Sequence, residues 1–454
     1  MKLPDGPKNT PRVLRLLKLI LRPVAYLEDY QRQYGDNFAI VGRQNSAIVY
    51  LSHPRALQEI FAAEGGKLED IGAGDRVLQF LLGEHSLLFV SGDRHKRKRQ
   101  LLTPPFHGER MQAYGKLICQ IAQQVTEQWP LDRPFLLRPA MQEITLQVIL
   151  RLIFGLQEGQ RFEEIKQILT AILDNFNSPI FSSVFFFKSL QRDYGPWSPW
   201  GRFIRQKQHL DELLYAEIQQ QRQQFDPNRK DIFTLLMAAK DEAGEGMSDT
   251  ELRDELMTLL LAGHETTASA LTWAFYWLDR HPEIRERLLS ELSHANLSDA
   301  SAIAKLPYLS AVCSETLRIY PITATTFMRV VRAPIQIMDY EFEPGTALLP
   351  CIYMAHHREE VYPEPQKFKP ERFLEKQFSP YEYLPFGGGN RRCIGMAFAQ
   401  FEMKLVLMTI LSQFKLSLVD RRPVQPVRRG LTLAPPGNLR MVATRLEQKQ
   451  PILV

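Results

Sequence analysis

From Ser248 to about Arg280 the chain carries one helical pattern longer than the usual globular helix, and a helix of that length must cross whatever domain holds it. Ser248 with Glu251 three residues on marks its start, since hydroxyl and carboxylate can each bond an orphan amide of the first turn. Leu256 to Ala262 and Ala268 to Leu278 are apolar on most faces, which would also suit a membrane span. Gly263-His264-Glu265 stands between them, and one charge at mid-bilayer costs roughly 3 kcal/mol on insertion scales. The pattern predicts a helix buried in a protein core, with a small polar turn at its midpoint.

A chain of 454 residues, 44% hydrophobic, can bury such a helix. Its charged residues are spread evenly and no Gly/Ser-rich or single-sign stretch reads as a linker, so one domain over 1–454 is expected, with 1–30 as its N-terminal segment. The net charge of +5 suits acidic partners without choosing among nucleic acid, an anionic membrane and an acidic protein. Cys119, Cys313, Cys351 and Cys393 lie far apart, with no C-x-x-C pair and no secretory signal, so neither a disulfide framework nor a zinc site is suggested and a reducing compartment, the cytoplasm, is expected. The apolar stretch Val13 to Leu21 carries Arg15 and Lys18 and stops at Pro23, so no transmembrane helix is expected. With Arg22, these two cations mark the basic face of a helix suited to peripheral contact with lipid.

Elsewhere, apolar positions from Met111 to roughly Gln224 recur at helical spacing, interrupted by Pro130, Pro134, Pro179 and the stretch Gly195 to Gly201. Short strands are expected at Phe38–Val41 and Ala47–Leu51 around a polar turn, Arg43 to Ser46, and again around Glu343-Pro344-Gly345. Another hairpin is expected where Leu431–Leu433 would face Leu439–Val442 across Pro435-Pro436-Gly437-Asn438. The fold class is therefore mainly α with minor β.

The chemistry concentrates in Phe386-Gly387-Gly388-Gly389-Asn390-Arg391-Arg392-Cys393-Ile394-Gly395, which runs into a helical pattern from Met396 to about Leu411. A cysteine at a helix start has its thiolate favoured by the helix dipole, and three glycines let the backbone fold tightly around the sulfur. Such a thiolate is a soft iron ligand, although a buried cysteine after a glycine turn is the commoner fate of a single cysteine. A phosphate loop does not fit, because neither G-x-G-x-x-G nor a glycine-lysine-serine ending is present.

The run resembles the ligand loop of the cytochrome P-450 family, F-x-x-G-x-R-x-C-x-G, through Phe386, Gly389, Arg391, Cys393 and Gly395. The resemblance implies that Cys393 is the axial ligand of haem b, that Phe386 packs beside it and that Arg391 meets a haem propionate. Ala262-Gly263-His264-Glu265-Thr266-Thr267 resembles the family's oxygen-binding motif. There Thr266 would orient dioxygen, Glu265 would feed protons, Ala262 would lie against haem, and His264 would fill a variable position. Glu315 and Arg318 with Phe368-Lys369-Pro370-Glu371-Arg372-Phe373 resemble the family's E-x-x-R and P-E-R-F elements, so Glu315, Arg318 and Arg372 are expected to form a structural charge network bracing the loop. Gly92, His95, Arg99 and Phe106 resemble the haem-flanking helix, with His95 and Arg99 reaching propionates, although many relatives have tryptophan at the His95 position. Arg329 stands where another propionate-binding arginine is found.

These elements keep the family's order and cover essentially the whole chain. The implied reaction is hydroxylation of an apolar small molecule by O2, a long-chain fatty acid or terpenoid, in a monomer without a fused reductase. Electrons are expected from a ferredoxin or flavodoxin with its own reductase. Lys96, Arg97 and Lys98 would offer the acidic donor a basic face, and no nucleic acid is expected. Two other readings stay open: a haem-thiolate peroxygenase or peroxide isomerase, and a non-enzymatic basic helical protein using Arg94 to Arg99 against nucleic acid or membrane.

Overall fold

The structure, a computed structural model, describes residues 3–7, 10–42, 47–70, 76–106, 110–155, 159–177 and 191–447. Helices dominate these residues, beside four small sheets. Contacts group the chain into two compact units. Met1–Gly72, Met111–Ile144 and Thr266–Val454 form one, and Ala73–Arg110 with Thr145–Glu265 forms the other. The long helix is continuous from Asp249 to Arg280 and contributes to both. Its cap is reciprocal: Glu251 N–H donates to Ser248 Oγ at 3.2 Å and Ser248 N–H to Glu251 Oε2 at 3.1 Å. Among the described residues, no helix is long and apolar enough to cross a membrane.

In the first unit, Asn37–Val41 pairs antiparallel with Ala47–Leu51, and the turn expected at Arg43–Ser46 lies outside the described residues. Phe38 sits opposite Tyr50 with the rings stacked at 4.6 Å, filling a core with Tyr26, Tyr30 and Tyr353. Ala47–Leu51 then pairs parallel with Ala347–Pro350, which continues through Arg329–Val331 to Leu68–Asp70. The expected hairpin at Leu431–Val442 is not formed. Thr432–Ala434 pairs with Val427–Arg429, while Arg440–Arg445 lies between Phe414–Leu418 and Pro134–Leu136. Pro435 and Pro436 have no amide to give a ladder, and Leu433 spends its own on the Ile322 carbonyl at 2.7 Å.

Glu315, Arg318 and Arg372 come together in this unit, almost wholly buried. Arg318 grips the Glu315 carboxylate with Nε at 2.6 Å and Nη2 at 2.9 Å, and Arg372 Nε and the Lys369 amide donate to its Oε1. Arg318 Nη1 donates to the His356 carbonyl at 2.9 Å. Burial, with Arg318 adding to it, holds the His356 ring neutral. Its Nε2 accepts the Leu384 amide at 2.9 Å, which leaves the proton on Nδ1 to face the Arg318 carbonyl. The network thus reaches Leu384, two residues before Phe386.

The second unit corrects the expected basic face. Arg97 donates to Asp241 at 2.5 Å, and Lys98, 2% exposed, lies 3.3 Å from Glu251 and 3.2 Å from Glu255. Lys98 is thereby committed inside the protein and Arg97 to an ion pair at its surface, while Arg94 and Lys96 stay exposed. Mean sequence charge could not reveal this, because the acidic partners lie about 150 residues away, Glu251 and Glu255 on the long helix and Asp241 before it. Burial raises the Glu255 carboxyl to about 7 against the pull of Lys98. A carboxyl raised on folding favours the protonated native state, so its stabilising contribution is complete below the ordinary value of 4.5 and is lost as pH rises through about 7. Glu255→Gln is neutral at every pH. Its melting temperature is expected to rise relative to the parent between pH 4.5 and about 8, and a pH-independent difference would show that Glu255 ionises normally.

Candidate functional site

The cysteine loop belongs to the first unit, and its path follows from its glycines. Gly387 and Gly389 adopt φ of +72° and +64°, conformations that side chains rarely take. At Gly388 the constraint is space, since a Cβ would come within 2.4 Å of the Phe61 ring. A single 3-10 turn, Gly389–Arg391, brings the chain round so that Cys393 N–H donates to the Phe386 carbonyl at 2.9 Å. Helix Met396–Leu411 starts three residues later, close enough for its dipole to favour negative charge on the sulfur. Cys393 is exposed, whereas the other three cysteines are buried and their thiols are pushed up by burial, Cys119 to about 11 and Cys313 and Cys351 to about 12. Among the four, Cys393 alone combines access with a setting that favours the thiolate.

Two arginines flank this loop, each bound to a carboxylate. Arg391 Nε donates to Asp70 at 2.8 Å, and burial draws its guanidinium below the usual value against the opposing pull of Asp70. Arg329, wholly buried, donates through Nε to Glu64 at 2.8 Å and through Nη2 to the Gly388 carbonyl at 3.2 Å. Strand pairing sets Asp70 directly opposite Arg329. Glu64 and Asp70 are site residues that the sequence reading missed. No motif marks them, and only the pairing of strands some 260 residues apart brings them to the loop.

The middle of the long helix is open on one side. Nearly every residue from Leu252 to Leu278 is buried, but Ala262 is exposed and Leu261, Gly263, Glu265 and Thr266 are partly so. Ala262 and Thr266, with Leu261 and Glu265, are one turn apart and share that side. Gly263 serves another purpose, since a Cβ there would approach Ile149 Cδ1 to 2.8 Å. His264 is buried. The Thr145 hydroxyl oxygen lies 3.2 Å from the His264 carbonyl oxygen and 2.9 Å from its Nδ1, so one hydroxyl holds both the backbone and the ring of His264. The variable position is therefore an anchor, and its Nε2 lies 3.8 Å from Glu265. In the second unit His95 and Arg99 stand one turn apart on helix Gly92–Leu102, His95 buried and Arg99 half-buried.

The donor set fits haem. Among the described residues, no cluster of three or more His, Cys, Asp or Glu side chains could hold a metal ion. An iron on Cys393 would take its other ligands from elsewhere, as a porphyrin supplies them, and a soft thiolate suits it.

Comparison with known proteins agrees. The cytochrome P-450 family profile matches residues 4–441. The protein named cytochrome P-450 135B1 of Mycobacterium tuberculosis strain H37Rv is 34% identical over 463 aligned residues, covering 98% of this chain and 92% of that one. The protein named cytochrome P-450 135A1 of the same strain is also 34% identical, with 98% and 96% covered. The solved structure of cyanobacterial CYP120A1 with retinoic acid bound matches with a TM-score of 0.82 at 27% identity, over 98% of this chain and 100% of that one. The heme domain of cytochrome P-450DA, at 22% identity with 98% of each chain covered, has the same fold with a TM-score of 0.84. With the cysteine loop inside a likeness that spans nearly the whole sequence, the chain belongs to the cytochrome P-450 family of haem-thiolate monooxygenases.

Proposed function

We propose that the protein hydroxylates a long apolar molecule, a long-chain fatty acid or a terpenoid-like lipid, using O2 and electrons from a separate ferredoxin or flavodoxin. The observation that carries the substrate class is the likeness to CYP120A1, whose bound retinoic acid is a long apolar isoprenoid with one carboxylate. Fatty acids share both features. The aromatic stretch Ile180–Phe187, which would cover a substrate channel by the same resemblance, lies outside the described residues.

Cys393 would hold the haem, with Phe386 and Ala262 against it and His95, Arg99, Arg329 and Arg391 toward its propionates. Bound haem supplies the iron at which dioxygen is reduced and the substrate oxidised. The chain's own part is to deliver protons in order. Glu265, its side chain 19% exposed, can exchange protons with solvent, and the Thr266 hydroxyl on the same open side of the helix can accept one at Oγ and pass it inward. A peroxide-using enzyme has less need of such a pair, which favours the monooxygenase.

Localisation in the cytoplasm with peripheral lipid contact is part of the same reading. Helix Arg12–Leu21 exposes Val13, Leu14, Leu16, Leu17 and Leu21. Lys18 pairs with Asp29 at 2.5 Å and Arg15 donates to the Pro7 carbonyl, so contact would rest on the apolar residues more than on charge. One monomeric monooxygenase domain then draws its substrate from lipid and its electrons from solution.

Two measurements test this. Thr266→Ala should keep the substrate-induced spin-state shift while product per electron pair falls by roughly tenfold or more and hydrogen peroxide rises; unchanged coupling would remove Thr266 from proton delivery. In a series of saturated fatty acids, Kd should fall by about fourfold per added methylene until the channel is filled, at about 0.8 kcal/mol each. Binding indifferent to chain length, alongside turnover of a compact polar molecule, would contradict the lipid substrate.

A further inference from the structure

We propose that Glu64 is a positioning residue for the thiolate loop, clamping it by binding the Asn390 amide and the Arg329 guanidinium at once. The inference rests on Cys393 being the haem ligand. Glu64 follows helix Pro54–Ala62, in the turn that Gly65 closes with φ of +79°, just before strand Leu68–Asp70. Its carboxylate, 2% exposed, accepts from Arg329 Nε at 2.8 Å through Oε1 and from Asn390 N–H at 2.6 Å through Oε2. Arg329 closes the ring by donating to the Gly388 carbonyl at 3.2 Å. Two successive peptides of the loop are thus tied to a single buried ion pair, the first as acceptor through the Gly388 carbonyl and the second as donor through the Asn390 amide. A side chain at Gly389 would bring its Cβ to 2.3 Å from both carboxylate oxygens, so the loop is shaped to the clamp.

Within the chain the charges around the loop also pair. Glu64 and Asp70 oppose Arg329 and Arg391 around the loop, all four largely buried. Removing one carboxylate leaves a buried cation short of its partner and frees the Asn390 amide, three residues before the ligand. Asn390 is exposed at the surface, so its amide exchange reports directly on whether Glu64 holds it.

The test uses the full-length, haem-loaded protein with Glu64→Ala, Glu64→Gln and, as a control, Glu69→Ala. Glu69 is on the strand that follows Glu64, next to Asp70 but outside the clamp, in a half-exposed pair with Arg332. Three quantities are read: hydrogen exchange of the peptide covering Gly387 to Cys393, the rate of haem transfer to apomyoglobin, and the share of reduced, carbon monoxide-bound protein in the thiolate band. A charge-assisted bond of this kind predicts roughly tenfold or greater increases in exchange and haem transfer for Glu64→Ala, with absorbance moving to the protonated-thiol band. Glu64→Gln keeps an acceptor for Asn390 and should recover much of the exchange protection while haem transfer stays fast. Wild-type values in Glu64→Ala, or equal effects from Glu69→Ala, would overturn the clamp. If Glu64→Ala does not fold, Glu64→Gln decides, and wild-type haem transfer there counts against it. A parent protein lacking the thiolate band would refute the Cys393 reading instead, and the exchange arm would still decide whether Glu64 holds the loop.

Discussion

A thiolate can serve as a lasting iron ligand only if its sulfur is held in place, and the Cys393 loop offers such a hold chiefly through its backbone. The Cys393 amide bonds the Phe386 carbonyl, two glycines take conformations closed to other residues, a third admits the Phe61 ring, and a helix opens three residues on. Each of these is a main-chain feature. They explain why so many positions between Phe386 and Gly395 are constrained at once, and why the surrounding protein is arranged to keep this short segment still.

That support is largely ionic, which is costly. Charges withdrawn from water lose several kcal/mol of hydration each unless partners replace it, and removing one partner is worse than removing both. Glu315 therefore comes with two arginines and the Lys369 amide, and Glu64 comes with Arg329 and Asn390. Such networks add little net stability compared with apolar packing. Their value is geometric, because a bidentate arginine or a doubly used carboxylate fixes direction as well as distance. Lys98 between Glu251 and Glu255 shows the same principle in the second unit, and there the cost surfaces as a carboxyl raised toward neutrality.

The parts legible in the sequence were those whose information is local. The capping box at Ser248, the helix through Ala262–Thr267 and the helix from Met396 to Leu411 match their patterns closely, since periodicity and caps act within a few residues. Local signals misled where distant partners decided. The hairpin expected at Leu431–Val442 gave way to pairing with distant strands, and the run from Arg94 to Arg99 read as a basic face although the long helix pairs Lys98 with Glu251 and Glu255. Glu64, Asp70 and Thr145 left no trace in a single sequence. An acidic or hydroxyl side chain gains a role there only through pairing across hundreds of residues, which composition and spacing do not encode.

The central claim is that Cys393 presents a thiolate to haem iron, and the absorption spectrum of the reduced protein under carbon monoxide tests it most directly. Thiolate ligation predicts a strongly red-shifted Soret band in the parent protein and its loss in Cys393→Ser. A parent band at the position given by imidazole or thiol ligation, or an unchanged red-shifted band in Cys393→Ser, would contradict the account.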